Sequence, residues 1–188
     1  MDGNNHLKLR NIKHYYNNNV VLDIDKLTIE KGKIIAFVGP NGSGKTTLLH
    51  TMSLVLKPTM GEILFNGKPV EWSESKLVQI RRLITVVAQN PFMFNTSIQA
   101  NIDYGLKIRN ITKKVRKKII NSVLERFGLL NIKHRNARHL SGGEIQLVAM
   151  ARGIALNPSV LFLDEITANL DTNHINKLEH SIQQYNKE

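Results

Sequence analysis

The chain has no cysteine, which excludes disulfide bonds and thiolate metal sites. It has no long hydrophobic run either. The longest apolar stretches, such as residues 34–38 and 160–163, are far shorter than the roughly 20 residues a membrane-spanning helix needs. Residues 1–13 lack the apolar core of a secretory signal. No period repeats and no low-complexity linker interrupts the chain, so solenoids and tandem arrays are excluded. What remains is 188 residues, a length suited to one domain with a sizeable core, expected in the cytoplasm.

Acidic residues are scarce: 15 Asp and Glu face 26 Lys and Arg, a formal charge of +11. An excess of this size draws nucleic acid or an anionic membrane surface, or it reflects the Lys-, Asn- and Ile-rich bias of the whole chain. Its densest part is Lys113, Lys114, Arg116, Lys117 and Lys118. Val115, Ile119 and Val123 interleave with these at helical spacing, and Ile120, Leu124 and Phe127 form a neighbouring row. The pattern predicts an amphipathic helix whose basic face is solvated or lies close to a membrane.

Residues 7–12 and 20–27 read as strands around the turn at Asn17, Asn18 and Asn19. Residues 33–38 are expected to form a buried strand, followed by a Gly-rich loop and a helix from about Lys45 to Leu54. Strands are expected at 62–65, ahead of the Asn66-Gly67 turn, and at 83–88. Residues 91–140 are mostly helical in pattern and are expected to project as a helical subdomain. Residues 160–163 suit a strand buried on both faces, and Ile175, Leu178 and Ile182 mark a closing helix. Strands alternating with helices imply an α/β fold with a mainly parallel core sheet and an amino-terminal antiparallel flank.

Gly39-Pro40-Asn41-Gly42-Ser43-Gly44-Lys45-Thr46 has the spacing G-x-x-x-x-G-K-[ST], followed by Thr47. Its glycines let successive backbone N–H groups curl around an anion, and the helix that follows turns its positive end to the same phosphates. Lys45 suits the β- and γ-phosphates, and the Thr46 hydroxyl suits Mg²⁺. Asp164 and Glu165 end an apolar strand, where α/β sheets bind ligands. Asp164 is placed to hold Mg²⁺, and Glu165 to orient and deprotonate an attacking water. In Leu140-Ser141-Gly142-Gly143-Glu144, Ser141 and Glu144 form an S-x-x-E capping box, and the two glycines leave the first helical turn bare for an anion.

The order of these motifs resembles the P-loop ATPases of the ABC family: a Walker A loop, then the signature at Leu140–Glu144, then a Walker B strand with its acidic pair. The resemblance covers nearly the whole chain and extends from Gln146 through Ala151-Arg152 to Asn157-Pro158. It places Gln89 at the family's glutamine loop, Ala168-Asn169-Leu170-Asp171 at its D-loop, and Tyr16 at its adenine-stacking aromatic, with Tyr15 the near alternative. It implies ATP and Mg²⁺ as cofactors and two ATPase subunits clamping two ATP molecules head to tail. In each site the phosphate loop of one subunit would face Ser141, Gly142 and Gly143 of the other. Gln89 would contact Mg²⁺ or the lytic water, and Asp171 would act across the dimer interface or cap the next helix. A transmembrane permease would be the partner, with the ATPase peripheral on the inner face of the cell membrane.

The stretch from Gln89 to Lys107 is similar to importer ATPases, most of all those serving oxyanions such as tungstate, molybdate or phosphate. Phe92, Met93 and Phe94 suit a groove for the permease's coupling helix, or a packed subdomain core. Some features depart from the family pattern. Ile166 stands where a proline follows the catalytic Glu, and Leu147 where an arginine follows Gln146. The family's switch histidine would follow a further strand, whereas the chain reaches Glu188 in or just after the closing helix, so it is expected to be truncated. His174 and His180 lie within that helix and do not substitute. Two other functions fit the motifs: a soluble ABC-type ATPase acting on nucleic acid, motivated by the charge, and a hydrolysis-deficient nucleotide-binding regulator, motivated by the histidine.

Overall fold

The computed structural model describes residues 5–168 and 170–186, in two compact units that divide between Ile84 and Thr85. The first unit is built on an antiparallel sheet of β1 (Asn5–Tyr16), β2 (Asn19–Glu30), β3 (Met60–Phe65) and β4 (Lys68–Pro69), in the order β2-β1-β3-β4. Its hairpins follow from local chemistry. Asn17 and Asn18 at one turn, and Asn66 and Gly67 at the other, all take positive φ, as the tight turn favoured between twisted strands requires. Both paired strands of the first hairpin run longer than the apolar pattern suggested.

Along β1 the buried positions switch phase, from Leu7 and Leu9 to Ile12 and His14. The cause is a bulge: the register with β3 shifts between Arg10 and Lys13, and Asn11 between them has φ 48°. Gly61 lies opposite, and a Cβ there would stand 2.3 Å from the Asn11 carbonyl oxygen, so the kink needs glycine on the facing strand. α1 (Lys45–Met52) and α2 (Glu74–Arg81) complete the unit. Leu54, fully buried at positive φ, ends the first of these, and its carbonyl accepts two hydrogen bonds from the Arg81 guanidinium, at 2.7 and 3.1 Å.

The expectation of a buried strand at 33–38 is corrected here. The segment carries no strand, and it is largely exposed, Ile34 at 62% and Val38 at 95%. Apolar composition alone does not make a strand; a neighbour must take its N–H and C=O groups. The ladders of its own unit join only β1 to β4.

The second unit holds the parallel pair of β5 (Ile84–Val87) and β6 (Val160–Leu163), with α3 (Ile98–Ile108), α4 (Lys113–Arg126), α5 (Gly142–Ala155) and α6 (Thr172–Tyr185). Short 3₁₀ turns at Leu130–Ile132 and Ala137–His139 fill the predicted helical stretch. α5 is its core element: Leu147, Val148, Met150, Ala151 and Ile154 are all buried, against Ile98, Ile102 and Leu106 of α3, Ile120, Val123 and Leu124 of α4, and Leu178 of α6. Of the four β6 residues only Phe162 is buried and the others are partly covered, so the strand is not enclosed on both faces.

α4 is amphipathic as its pattern implies, with Lys113, Lys114, Lys117 and Lys118 exposed. Arg116 departs from the wet face: its Nε donates to Asp103 at 2.6 Å and its Nη1 to the Ile111 carbonyl at 2.8 Å. Val115 is exposed rather than part of the packed row. Asn169 of the expected D-loop lies outside the described residues.

Candidate functional site

In the first unit the phosphate loop enters α1 directly. Gly44 is the helix N-cap at φ 88°, a conformation glycine takes at no steric cost, and its missing Cβ leaves room for the Val21 carbonyl, which one would approach to 2.8 Å. No side chain caps the helix and no acidic residue occupies its first turn, so the N–H groups of Lys45, Thr46 and Thr47 stay available to an anion. Lys45 Nζ donates to the carbonyls of Gly39, at 2.9 Å, and Pro40, at 3.0 Å. The ammonium therefore lies over the loop formed by Gly39, Pro40, Asn41, Gly42 and Ser43. A cavity of about 410 Å³ opens there between the loop and β2, lined by Gly39, Pro40, Ser43, Gly44 and Lys45 with Val21, Asp23 and Ile24. Tyr16, at the end of β1, is half-exposed and stands edge-on to His14, with ring centres 4.8 Å apart.

In the second unit the loops after β5 and β6 meet. Asp164 N–H donates to the Val87 carbonyl at 3.0 Å, carrying the ladder one residue beyond the strand. The next residue, Glu165, takes φ 46°. Its Oε2 accepts from Gln89 Nε2 at 3.1 Å. Gln146 of α5, buried, donates its amide to the Gln89 carbonyl, and its Oε1 has no partner. Gln89 is thus gripped at both side chain and backbone, and Glu165 and Gln89 form one group next to Asp164.

The signature turn forms as its spacing implies. Glu144 N–H donates to Ser141 Oγ at 3.2 Å, and Ser141 N–H to Glu144 Oε2 at 2.8 Å. Arg135 adds an ion pair to Glu144 at 3.3 Å. Gly142 faces open space. Asp171 caps α6: its Oδ1 accepts the His174 N–H at 3.0 Å, and its Oδ2 lies 2.5 Å from His174 Nδ1. The backbone N–H of His174 first, and its ring next, hold the Asp171 carboxyl below the usual carboxylate range.

Of the aromatic trio after Gln89, Met93 packs partly against the core while Phe92 is 70% exposed. Phe92 and Phe94 meet edge to face at 5.4 Å, and Phe94 meets Tyr104 at 4.5 Å. They line a mainly apolar groove of about 400 Å³ with Pro91, Val87, Arg152 and Leu156. Arg152 Nη1 donates to the Phe92 carbonyl at 2.9 Å, and burial pushes its guanidinium below the usual arginine range. Asn101, fully buried, sets the turn that carries Phe94: it accepts from Phe94 N–H and donates to the carbonyls of Phe94, Thr96 and Ser97. Asn101 escaped the sequence reading because a polar residue inside a helical pattern carries no signal of which loop it will tie. Ile166 and Leu147, the two departures from the family pattern, are both buried core residues.

The Thr46 hydroxyl in the first unit, and the Asp164 carboxylate and Gln89 amide in the second, each carry a hard oxygen, the donor type that suits Mg²⁺. Among the described residues no cluster of three His, Cys, Asp or Glu forms a metal cage by itself.

The profile of the ABC transporter family matches residues 22–168. The chain belongs to that family, as its ATP-binding domain. The ABC chain is 37% identical to the tungstate uptake system ATP-binding protein TupC of Peptoclostridium acidaminophilum, over 96% of itself and 81% of that protein. It is 38% identical to an Fe(3+) ions import ATP-binding protein, FbpC of Mannheimia succiniciproducens, over 90% of itself, and spans only 47% of that protein. Among solved structures, cbiO1 of Clostridium perfringens, part of the ABC transporter complex cbiONQ, matches 98% of the chain at TM-score 0.90 and 29% identity, over 74% of that structure. A dimeric ATP-binding cassette in a post-hydrolysis state with ADP and Pi matches 96% at TM-score 0.86 and 27% identity, over 82% of that structure. Among the described residues of the ABC chain, no helix is long and apolar enough to cross a membrane.

Proposed function

We propose that this chain is the ATP-hydrolysing subunit of an ABC importer, and that it couples ATP-driven closure of a two-ATPase dimer to uptake of an oxyanion such as tungstate. Residues 1–188 serve as one ABC ATPase domain, with residues 91–140 as its helical subdomain. The observation that carries the reading is the contact of Gln89 with Glu165 beside Asp164. A carboxylate able to take a proton from water is thereby joined to the amide that orients it. Glu165 also holds the left-handed backbone conformation, a strain that accumulates where geometry serves chemistry.

The steps follow from the residues. The N–H groups of the loop and of Thr46 and Thr47 receive the phosphates, and Lys45 exchanges its loop carbonyls for the β- and γ-phosphate oxygens. Tyr16 stacks on the adenine. Thr46, Asp164 and Gln89 would hold Mg²⁺, which would supply positive charge against that developing on the phosphates. A second copy offers Ser141, Gly142 and Gly143 to the γ-phosphate, stabilising the charge that grows there. ATP favours the closed pair because only closure brings both sets of donors to it. Asp171 reaches across that pair. The groove at Phe92, Phe94 and Tyr104 receives an apolar helix of a transmembrane permease, which keeps the ATPase on the inner face of the membrane.

MgATP hydrolysis by the purified chain, measured over a wide range of protein concentration, tests this. Activity per molecule should rise with concentration, and Lys45→Ala should abolish it. Bound ATP without any turnover above the Lys45→Ala blank would overturn the enzymatic part and leave a nucleotide-binding regulator.

A further inference from the structure

Gly143 is a glycine without a conformational reason: its φ is not in the left-handed region, and it lies in the first turn of α5. The reason is space. A Cβ at Gly143 would stand 2.6 Å from Cγ and Cδ2 of His174 and 2.8 Å from its Nδ1, whereas one at Gly142 would meet nothing within 4 Å. The imidazole of α6 therefore lies against the backbone of the signature turn.

That ring is not free to swing aside. Its Nδ1 is paired with Asp171 Oδ2 at 2.5 Å, and the other oxygen of the same carboxylate accepts the His174 N–H at 3.0 Å. Residue 171 and residue 174 close a small ring that sets the imidazole's direction. The Ser141–Glu144 box and Arg135 also hold the first turn. The signature turn thus has two sets of contacts, and one of them leads directly to Asp171.

We propose that His174 is a positioning residue for the signature turn, transmitting the place of Asp171 to the N–H groups around Gly143. This rests on the reading of Gly142 and Gly143 as donors to the γ-phosphate of a second copy's ATP. The ring fills the space behind Gly143, so a displacement of Asp171 carries the start of α5 with it instead of being absorbed by a gap. His174 touches no nucleotide in this scheme; it decides where the donors stand. It is not a substitute for a switch histidine at a strand end, since it lies in the first turn of α6.

The test compares the unaltered chain with Gly143→Ala, His174→Ala, His174→Asn and the Gly143→Ala/His174→Ala pair. Misaligned donors cost rate, so Gly143→Ala should lower kcat by about tenfold or more with KM for ATP changed by less than about twofold. Removing the ring as well should return kcat to within about threefold of His174→Ala alone, the mark of two directly coupled residues. His174→Asn, which keeps a donor for Asp171, should lose less than His174→Ala. Hydrogen exchange supplies a readout that needs no turnover: His174→Ala should speed exchange at the Gly143 and Glu144 amides and leave the interior of α5 unchanged. A Gly143→Ala loss that is the same with and without His174 would overturn the proposal, and so would unaltered exchange at those amides. An unaltered chain with no ATP turnover would sink the ATPase reading instead, and the exchange comparison would still decide this one.

Discussion

The Gln89 side-chain amide donates to Glu165 Oε2 across 3.1 Å, which ties the end of β5 to the end of β6 through the two side chains best suited to handle a water molecule. The pair predicts a separation of binding from turnover. Glu165→Gln keeps the size and a hydrogen-bonding oxygen but removes the base. Hydrolysis should fall by about 10²–10⁴-fold, the usual contribution of a positioned base. ATP affinity should persist, and sedimentation with MgATP should show a dimer that no longer decays. Normal turnover by the variant would remove Glu165 from the mechanism.

Gln146 predicts a different separation, of stability from activity. It is buried, donates to the Gln89 carbonyl, and leaves its own Oε1 unpaired. Gln146→Leu loses one hydrogen bond yet also removes an unsatisfied buried acceptor, and the exposed Gln89 can turn its carbonyl to water. The two terms oppose, so urea unfolding should shift by no more than about 1 kcal/mol. Turnover should still drop clearly, because nothing then holds the Gln89 backbone from α5. A loss of activity matched by a large loss of stability would mean that Gln146 is only a packing residue.

Features written in local sequence were legible, and those made by distant partners were not. Asparagines and Asn66-Gly67 announce their turns because few other residues tolerate positive φ, and the S-x-x-E spacing announces the start of α5 because its partners are three residues apart. The apolar run at 33–38 misled because periodicity reports that a segment is apolar but not which strand will pair with it. The kink of β1 depends on Asn11 and Gly61 meeting across a sheet. The grip of Gln146 on Gln89 and the seat of His174 on Gly143 likewise join residues whose encounter only the fold produces. The motifs were legible from spacing, while the contacts that join them to distant side chains were not.

Asn101 is the clearest case of a support hidden in a helix. Its fully buried side chain makes four hydrogen bonds to the backbone of Phe94, Thr96 and Ser97. Asn101→Leu would bury nearly the same volume but leave the Phe94 N–H without its acceptor, while the carbonyls of Phe94, Thr96 and Ser97 keep the backbone N–H groups of Thr96, Ala137 and residue 101. One unsatisfied buried donor costs about 1–3 kcal/mol, so urea unfolding should show a loss of about that size. The Phe92–Phe94–Tyr104 groove should lose its shape first, seen as weaker capture of a permease. A variant as stable as the parent would mean the turn holds itself.

Asp171 predicts how the start of α6 responds to acid. The His174 backbone N–H and ring both favour its ionised form and hold its pKa below the ordinary carboxylate value. A group depressed in the folded state contributes stability above its unfolded pKa, and that contribution is lost as pH falls through the folded value. The parent chain should therefore lose thermal stability below the ordinary carboxylate range, while Asp171→Asn, which has no such proton to gain, should lose less over the same interval and start lower at neutral pH. Salt should weaken the difference only modestly at the helix cap itself, because the N–H bond is short and local, but more for the attraction to a charged His174 ring. Thermal unfolding of both proteins from neutral to acid pH measures this. Parallel curves would show that Asp171 caps α6 without its charge mattering, and that the imidazole is oriented by shape alone.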